Sequence, residues 1–111
     1  MSRYNIRVSS TDRAIVVIEA PTTEGYVIGR SDEASNYIPD IDLASFDARE
    51  KGVSRRHAAL VRFEGQTHVI DLNSVNGTYL DGKRLSPDVP HPLRSSSELR
   101  LGTLSLTISA V

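Results

Sequence analysis

The sequence predicts a small all-β domain, a sandwich or barrel, and three observations carry that prediction. Apolar residues recur with a period of two over short runs, and Gly, Asn and Asp turn signals separate the runs. No segment keeps a helical apolar stripe over a useful length. At 111 residues and 39% hydrophobic content, the chain has the size of one domain with a modest core.

In chain order the strand runs are "YNIRV" at 4–8, "AIVVIEA" at 14–20 and "GYVIGR" at 25–30. They continue with "AALVRF" at 58–63, "THVIDL" at 67–72, "SELRL" at 97–101 and "TLSLTI" at 103–108. In the last of these, Leu104, Leu106 and Ile108 alternate with Thr103, Ser105 and Thr107, as a half-buried antiparallel strand requires. The turn signals are "EGQ" at 64–66, "NG" at 76–77, "DG" at 81–82 and Gly102. "SPDVPHP" at 86–92 reads as a Pro-stiffened connector.

The segment from Ser31 to Gly52 breaks this rhythm. It is a long, mostly irregular stretch anchored by the apolar patch Ile41 to Leu43, and loops of that length in compact domains are functional or disordered. Asp32, Glu33, Asp40, Asp42, Asp47 and Glu50 crowd it, whereas Lys51, Arg55 and Arg56 follow with no acid among them.

Thirteen Lys plus Arg against fourteen Asp plus Glu give a net charge of −1, which supplies no overall field for nucleic acid or anionic lipid. Any basic site must be local. The absence of cysteine excludes disulfides and thiolate metal sites. "MSRYNIRV" lacks the apolar run of a signal peptide, and no stretch approaches the roughly 20 apolar residues of a membrane span, so the expectation is a soluble, cytoplasmic chain without membrane contact.

Three chemistries compete for "VSRRHA" at 53–58. A Ser54/His57 hydrolase would need an orienting carboxylate and an oxyanion hole, and sequence proximity supplies neither. The chain carries no GxSxG elbow, and His57, His68 and His91 are too scattered for a metal cluster; His68 reads as a strand surface residue and His91 as a loop residue. A nucleic-acid site would want several cations along a groove with interleaved aromatics, but the chain has four tyrosines, two phenylalanines and no tryptophan. Arg56 in particular reads as a solvated loop residue.

The third chemistry is an anion pocket built from loops at one end of a sandwich. It calls for an Arg fork, a hydroxyl, backbone N–H groups near a Gly turn, and an amide to hold a peptide main chain. Arg30 at the end of "GYVIGR", Ser54 after the long loop, and Asn76 with Gly77 supply these groups from three separate loops.

"IGR" at 28–30, "VSRRHA" at 53–58, "DLNSVNGTYLDG" at 71–82 and "LRLG" at 99–102 together resemble the forkhead-associated (FHA) domain, in the right order and over nearly the whole chain. "IPDIDLASFDAREKGVSRRHA" is similar to bacterial, notably cyanobacterial, members. The resemblance implies an eleven-stranded antiparallel β-sandwich of the FHA and SMAD-like type, whose apical loops bind phosphothreonine peptides without cofactor, metal or catalysis. It implies that residues 1–111 form a single domain excised from a larger regulatory protein.

By the same resemblance, Arg30 grips the phosphate, Ser54 donates its hydroxyl to it, and Arg55 occupies a variable polar position beside it. Asn76 holds the peptide backbone. Gly29 and Gly77 permit tight backbone approach, and His57 braces the binding loop from beneath. The chain departs from the family pattern at Asn73, where a glycine is common, and at Val75, where a threonine often touches the phosphate. It departs also at Ser96 and Ser97, where a Gly-Asp turn is frequent. The expected function is phosphorylation-dependent protein–protein interaction in signalling. The alternative is a phosphate-independent scaffold or self-association module, with Val75 marking a weakened pocket.

Overall fold

The computed structural model describes residues 3–11 and 13–111, and these fold into two packed sheets. In chain order the strands are β1 (Arg3–Val8), β2 (Ala14–Glu19), β3 (Tyr26–Gly29), β4 (Ile41–Asp42), β5 (Arg56–Phe63) and β6 (Gln66–Asp71). Next come β7 (Thr78–Leu80), β8 (Lys83–Arg84), β9 (His91–Pro92), β10 (Ser96–Leu101) and β11 (Leu104–Ala110). One sheet has the order β2-β1-β11-β10-β7-β8 and the other β4-β3-β5-β6-β9. The eleven-stranded sandwich expected from the sequence is therefore present. One pairing is not antiparallel: β4 runs parallel to β3, with Ile28 opposite Ile41.

Alternation works as the sequence predicts. On β11, Leu104, Leu106 and Ile108 are buried while Ser105 and Thr107 are half-buried, and they meet Ile6, Ile28, Leu60, Val69, Leu99 and Leu101 between the sheets. Two hairpin turns have left-handed backbone at both central residues, the twist that suits a two-residue β-turn: Glu64-Gly65 (φ 51 and 78) and Asp81-Gly82 (φ 49 and 84). The Asn76-Gly77 turn makes no hairpin. It carries the chain from β6 in one sheet to β7 in the other.

The long segment is less irregular than its sequence suggests. After β4 comes a short 3-10 turn at Ala44–Phe46, and Ile41, Leu43, Ala48 and Val53 all reach the core. Its acids hold backbone amides: Asp40 Oδ2 accepts from Val27 N (2.8 Å), and Asp42 Oδ1 from Ser31 N (2.9 Å) and Ala44 N (3.0 Å). Burial raises the affinity of the Asp42 carboxyl for its proton, but the Ser31 and Ala44 hydrogen bonds outweigh it and leave the pKa lowered.

Two histidines differ from expectation. His68 is buried, not a surface residue, because β9 pairs over that end of β6 and the ring packs edge-on to Phe63 at 5.2 Å. His91 lies in β9, not in a loop. Ser96 and Ser97 begin β10, and Ser97 Oγ, buried, accepts from Arg94 N (3.0 Å), so the reversal into this strand is held by a hydroxyl.

A buried histidine joins two of the loops at the end of the sandwich. His57 is fully buried; its Nδ1 accepts from the Ser54 amide (2.9 Å) and its Nε2 donates to the Gly77 carbonyl (2.8 Å). A backbone N–H can only donate and a carbonyl can only accept, so the ring is neutral with its proton on Nε2. Beside it, buried Asp71 accepts from Ser74 Oγ and Thr78 Oγ1, both at 2.7 Å, while Ser74 Oγ accepts from Gly77 N (3.0 Å). The loop from Ser74 to Thr78 is thereby held from within.

Burial holds the His57 pKa below its ordinary 6.5, against the opposing pull of the Gly77 carbonyl and of Asp71. The unfolded chain then binds a proton more readily than the folded one, so this stability is fully present above about pH 6.5 and falls as pH drops toward the lower folded pKa. His57→Ala leaves the Ser54 amide unpaired, removes one of the two donors to the Gly77 carbonyl and opens a cavity, a loss of about 3 kcal/mol that lowers the melting temperature by roughly ten degrees or more. Thermal melts of parent and variant from pH 8 to pH 5 check both points. The parent should lose stability below pH 6.5, and the variant, less stable throughout, should lose less over that interval.

Candidate functional site

Arg30 follows β3 directly, and its position is set by close backbone packing. Its amide donates to the Arg55 carbonyl (3.2 Å) and its Nε to the Val53 carbonyl (2.7 Å). Gly29 must lack a side chain here, because a β-carbon would collide with that same Arg55 carbonyl oxygen. The guanidinium is thus clamped against the segment that carries Ser54.

Ser54 lies two residues before β5. Its hydroxyl oxygen accepts from the Val75 amide at 3.3 Å, a long bond that ties the tip of the β6–β7 loop to it. The Ser54 proton remains free to donate elsewhere. Asn76 donates from Nδ2 to the Gly52 carbonyl (2.9 Å). Among the described residues none bonds to its Oδ1. Gly77 takes φ 90, and its carbonyl receives both the His57 ring and the Gly102 amide (3.1 Å). Arg30, Ser54 and Asn76 therefore all meet around the single segment Gly52 to Arg55.

Arg55 is half exposed on the same rim, whereas Arg56 turns away and stacks over Tyr37 at 5.3 Å. Val75 projects at the loop tip with 83% exposure, so nothing within the protein accounts for its side chain. Asn73, where the family often has glycine, has φ 59, a conformation that asparagine tolerates better than most residues; this departure keeps the backbone geometry.

Asp32 is a site residue that sequence reasoning did not single out. Its Oδ2 receives both Arg30 Nη1 (2.8 Å) and Arg55 Nε (2.7 Å), and its Oδ1 receives the Ala34 amide (2.8 Å). The Arg55 bond chiefly, with the Arg30 bond, holds the Asp32 pKa below its ordinary value, against a smaller upward push from burial. With Glu33, Ala34 and Arg49 these residues line a recess of about 380 Å³. Asp71, at the end of β6, is a further supporting residue, and Ser74 and Thr78 following it supply the hydroxyls that mark it as a buried acceptor.

The rim offers cationic forks, a free hydroxyl proton, and an amide with an open acceptor: a set suited to an oxyanion carried on a peptide. Protein FraH of Nostoc sp. is 43% identical over 65 residues, covering 58% of this chain and 22% of that protein, in keeping with the cyanobacterial resemblance. The oxoglutarate dehydrogenase inhibitor of Corynebacterium diphtheriae is 31% identical over 90 residues, 81% of this chain and 52% of the inhibitor. The chain thus spans between about a fifth and a half of these curated relatives. A structure from a structural and functional analysis of phosphothreonine-dependent FHA domain interactions superposes with a TM-score of 0.70 at 21% identity, covering 98% of this chain and 96% of that one, which shows the fold. The family model for the FHA domain matches residues 26–102, well over half of the 111, and the chain belongs to the FHA domain family.

Proposed function

We propose that this domain binds a phosphothreonine residue of a partner protein and so mediates phosphorylation-dependent protein–protein interaction, with no catalytic step of its own. One observation carries the reading: three loops far apart in sequence bring an arginine, a hydroxyl and an amide together around Gly52 to Arg55. Membership of the FHA family and the likeness to a domain studied for phosphothreonine dependence support it.

In this reading Arg30 pairs with the phosphate through the part of its fork that faces away from Val53, and Ser54 donates its free proton to a phosphate oxygen. Arg55 adds charge beside it. Asn76 accepts a peptide N–H at Oδ1 and keeps one amide hydrogen on Gly52, reading the main chain and not a side chain. His57, Gly29 and Gly77 hold the rim in shape without touching the partner. The partner is a protein and not a nucleic acid, since a net charge of −1 supplies no overall field and a local recess of three arginines is no extended phosphate track. The module acts as one domain in the cytoplasm, without cofactor, metal or membrane contact, as part of a longer regulatory protein.

Arg30→Ala and Ser54→Ala should each weaken binding to phosphothreonine peptides about ten- to a hundredfold while circular dichroism stays unchanged, since hydrogen bonds to charged groups contribute roughly 1.5–3 kcal/mol. Unchanged affinity in a folded Arg30→Ala protein would remove the phosphate from this rim. Peptides with glutamate in place of phosphothreonine should bind poorly, and equal affinity for the two would favour a scaffold that reads charge alone.

Val75→Thr should tighten phosphothreonine binding by about tenfold, because the added hydroxyl supplies one donor at an exposed loop tip and the branched shape is kept. Melting temperature should barely move. Calorimetry on the variant, alone and combined with Arg30→Ala, checks this: the gain should vanish when the phosphate is no longer held.

A further inference from the structure

The two arginines that face the proposed phosphate position are already neutralised in part by the protein itself. One carboxylate oxygen of Asp32 lies 2.8 Å from Arg30 Nη1 and 2.7 Å from Arg55 Nε. Arg30 and Asp32 are only 16% and 14% exposed, so the pair is less screened than an ordinary surface bridge, while Arg55 at 48% is more so. The carboxylate is not a free rotor. Its other oxygen holds the Ala34 amide in a local turn, which fixes it at the mouth of the recess that Arg30, Arg49 and Arg55 line.

Resting on the phosphothreonine reading above, we propose that Asp32 is an internal counter-ion that competes with the phosphate for Arg30 and Arg55 and so lowers the affinity of the site for every anion it can take. Whether the phosphate displaces Asp32 or shares the arginines with it, the sign is the same. Displacement breaks two charge-assisted bonds; sharing sets a carboxylate beside a dianion. Asp32 also keeps both forks oriented before the ligand arrives, a benefit that an uncharged residue of the same shape retains only in part, because an asparagine has one acceptor oxygen where the carboxylate has two. The charge is therefore the part that opposes binding, and the shape the part that assists it.

Asp32→Asn separates the two. The asparagine oxygen can still accept from the Ala34 amide or an arginine, but the negative charge is gone. Asp32→Ser, whose hydroxyl can also receive the Ala34 amide, provides a second variant should the first lose its fold in a thermal melt. The probes are inorganic phosphate and N-acetyl-O-phosphothreonine methylamide, titrated into ¹⁵N-labelled protein and followed at the Arg30 and Arg55 Nε–H and the Ser54 amide.

Asp32→Asn is expected to tighten both probes about three- to tenfold, a range consistent with losing two partly screened ion pairs. Binding by a variant where the parent binds neither probe would support the inference more strongly still. A parent that binds while both variants bind equally or more weakly would overturn it, and would make Asp32 a positioning residue only. If neither parent nor variants respond, the phosphate reading of the rim itself fails, and the inference falls with it.

Discussion

The neutral imidazole of His57 is the contact on which the rest of the rim depends. It is the bolt between two loops that belong to different parts of the chain: one nitrogen accepts from Ser54, the other donates to Gly77. Both partners are backbone groups, so the ring sets the height of the loop before β5 against the β6–β7 loop whatever side chains those loops carry. Ser54 and Asn76 then reach across the joint, to Val75 and Gly52 respectively. Asp71 completes the brace by binding the hydroxyls of Ser74 and Thr78. A buried polar group is costly unless its partners are made, and here both ring nitrogens are bonded while Asp71 Oδ1 takes both hydroxyls.

On that scaffold a chain with net charge −1 brings three of its arginines to one recess. Arg30, Arg49 and Arg55 line a single recess, and Asp32 is the carboxylate that joins two of them. Local charge of this kind suits a doubly charged group on a short peptide segment better than an extended polyanion. The acids elsewhere in the long segment do different work: Asp40 and Asp42 hold backbone amides and shape the approach to Arg30. Within the acidic crowd of the sequence, Asp32, Asp40 and Asp42 are thus three separate anchors.

How much of this was legible depends on length and distance along the chain. The seven longer strands, of four to eight residues, could be read because each carries a short apolar run bounded by turn residues, and in β11 the period of two matches burial of one face. β4, β8 and β9 have two residues each, too few for any period, and the parallel pairing of β4 with β3 leaves no mark in local sequence. The burial of His68 follows from β9, so it was hidden for the same reason. Of the proposed site, Arg30, Ser54 and Asn76, with His57 beneath them, stand out in the sequence through the order of their motifs. Asp32 does not, because its bond to Arg55 spans 23 positions and one aspartate among several neighbours has no distinguishing spacing.

The central claim is that a single rim around Gly52 to Arg55 receives the phosphate and the adjoining peptide backbone. A crystal structure of the domain with a bound phosphothreonine peptide tests it most directly. The expected result is a phosphate within hydrogen-bonding distance of the Arg30 guanidinium and the Ser54 hydroxyl, with the Asn76 side chain bonded to the peptide main chain and the His57 ring still spanning Ser54 and Gly77. A peptide seated along the outer edge of β2, or a phosphate held away from Arg30, would contradict the account.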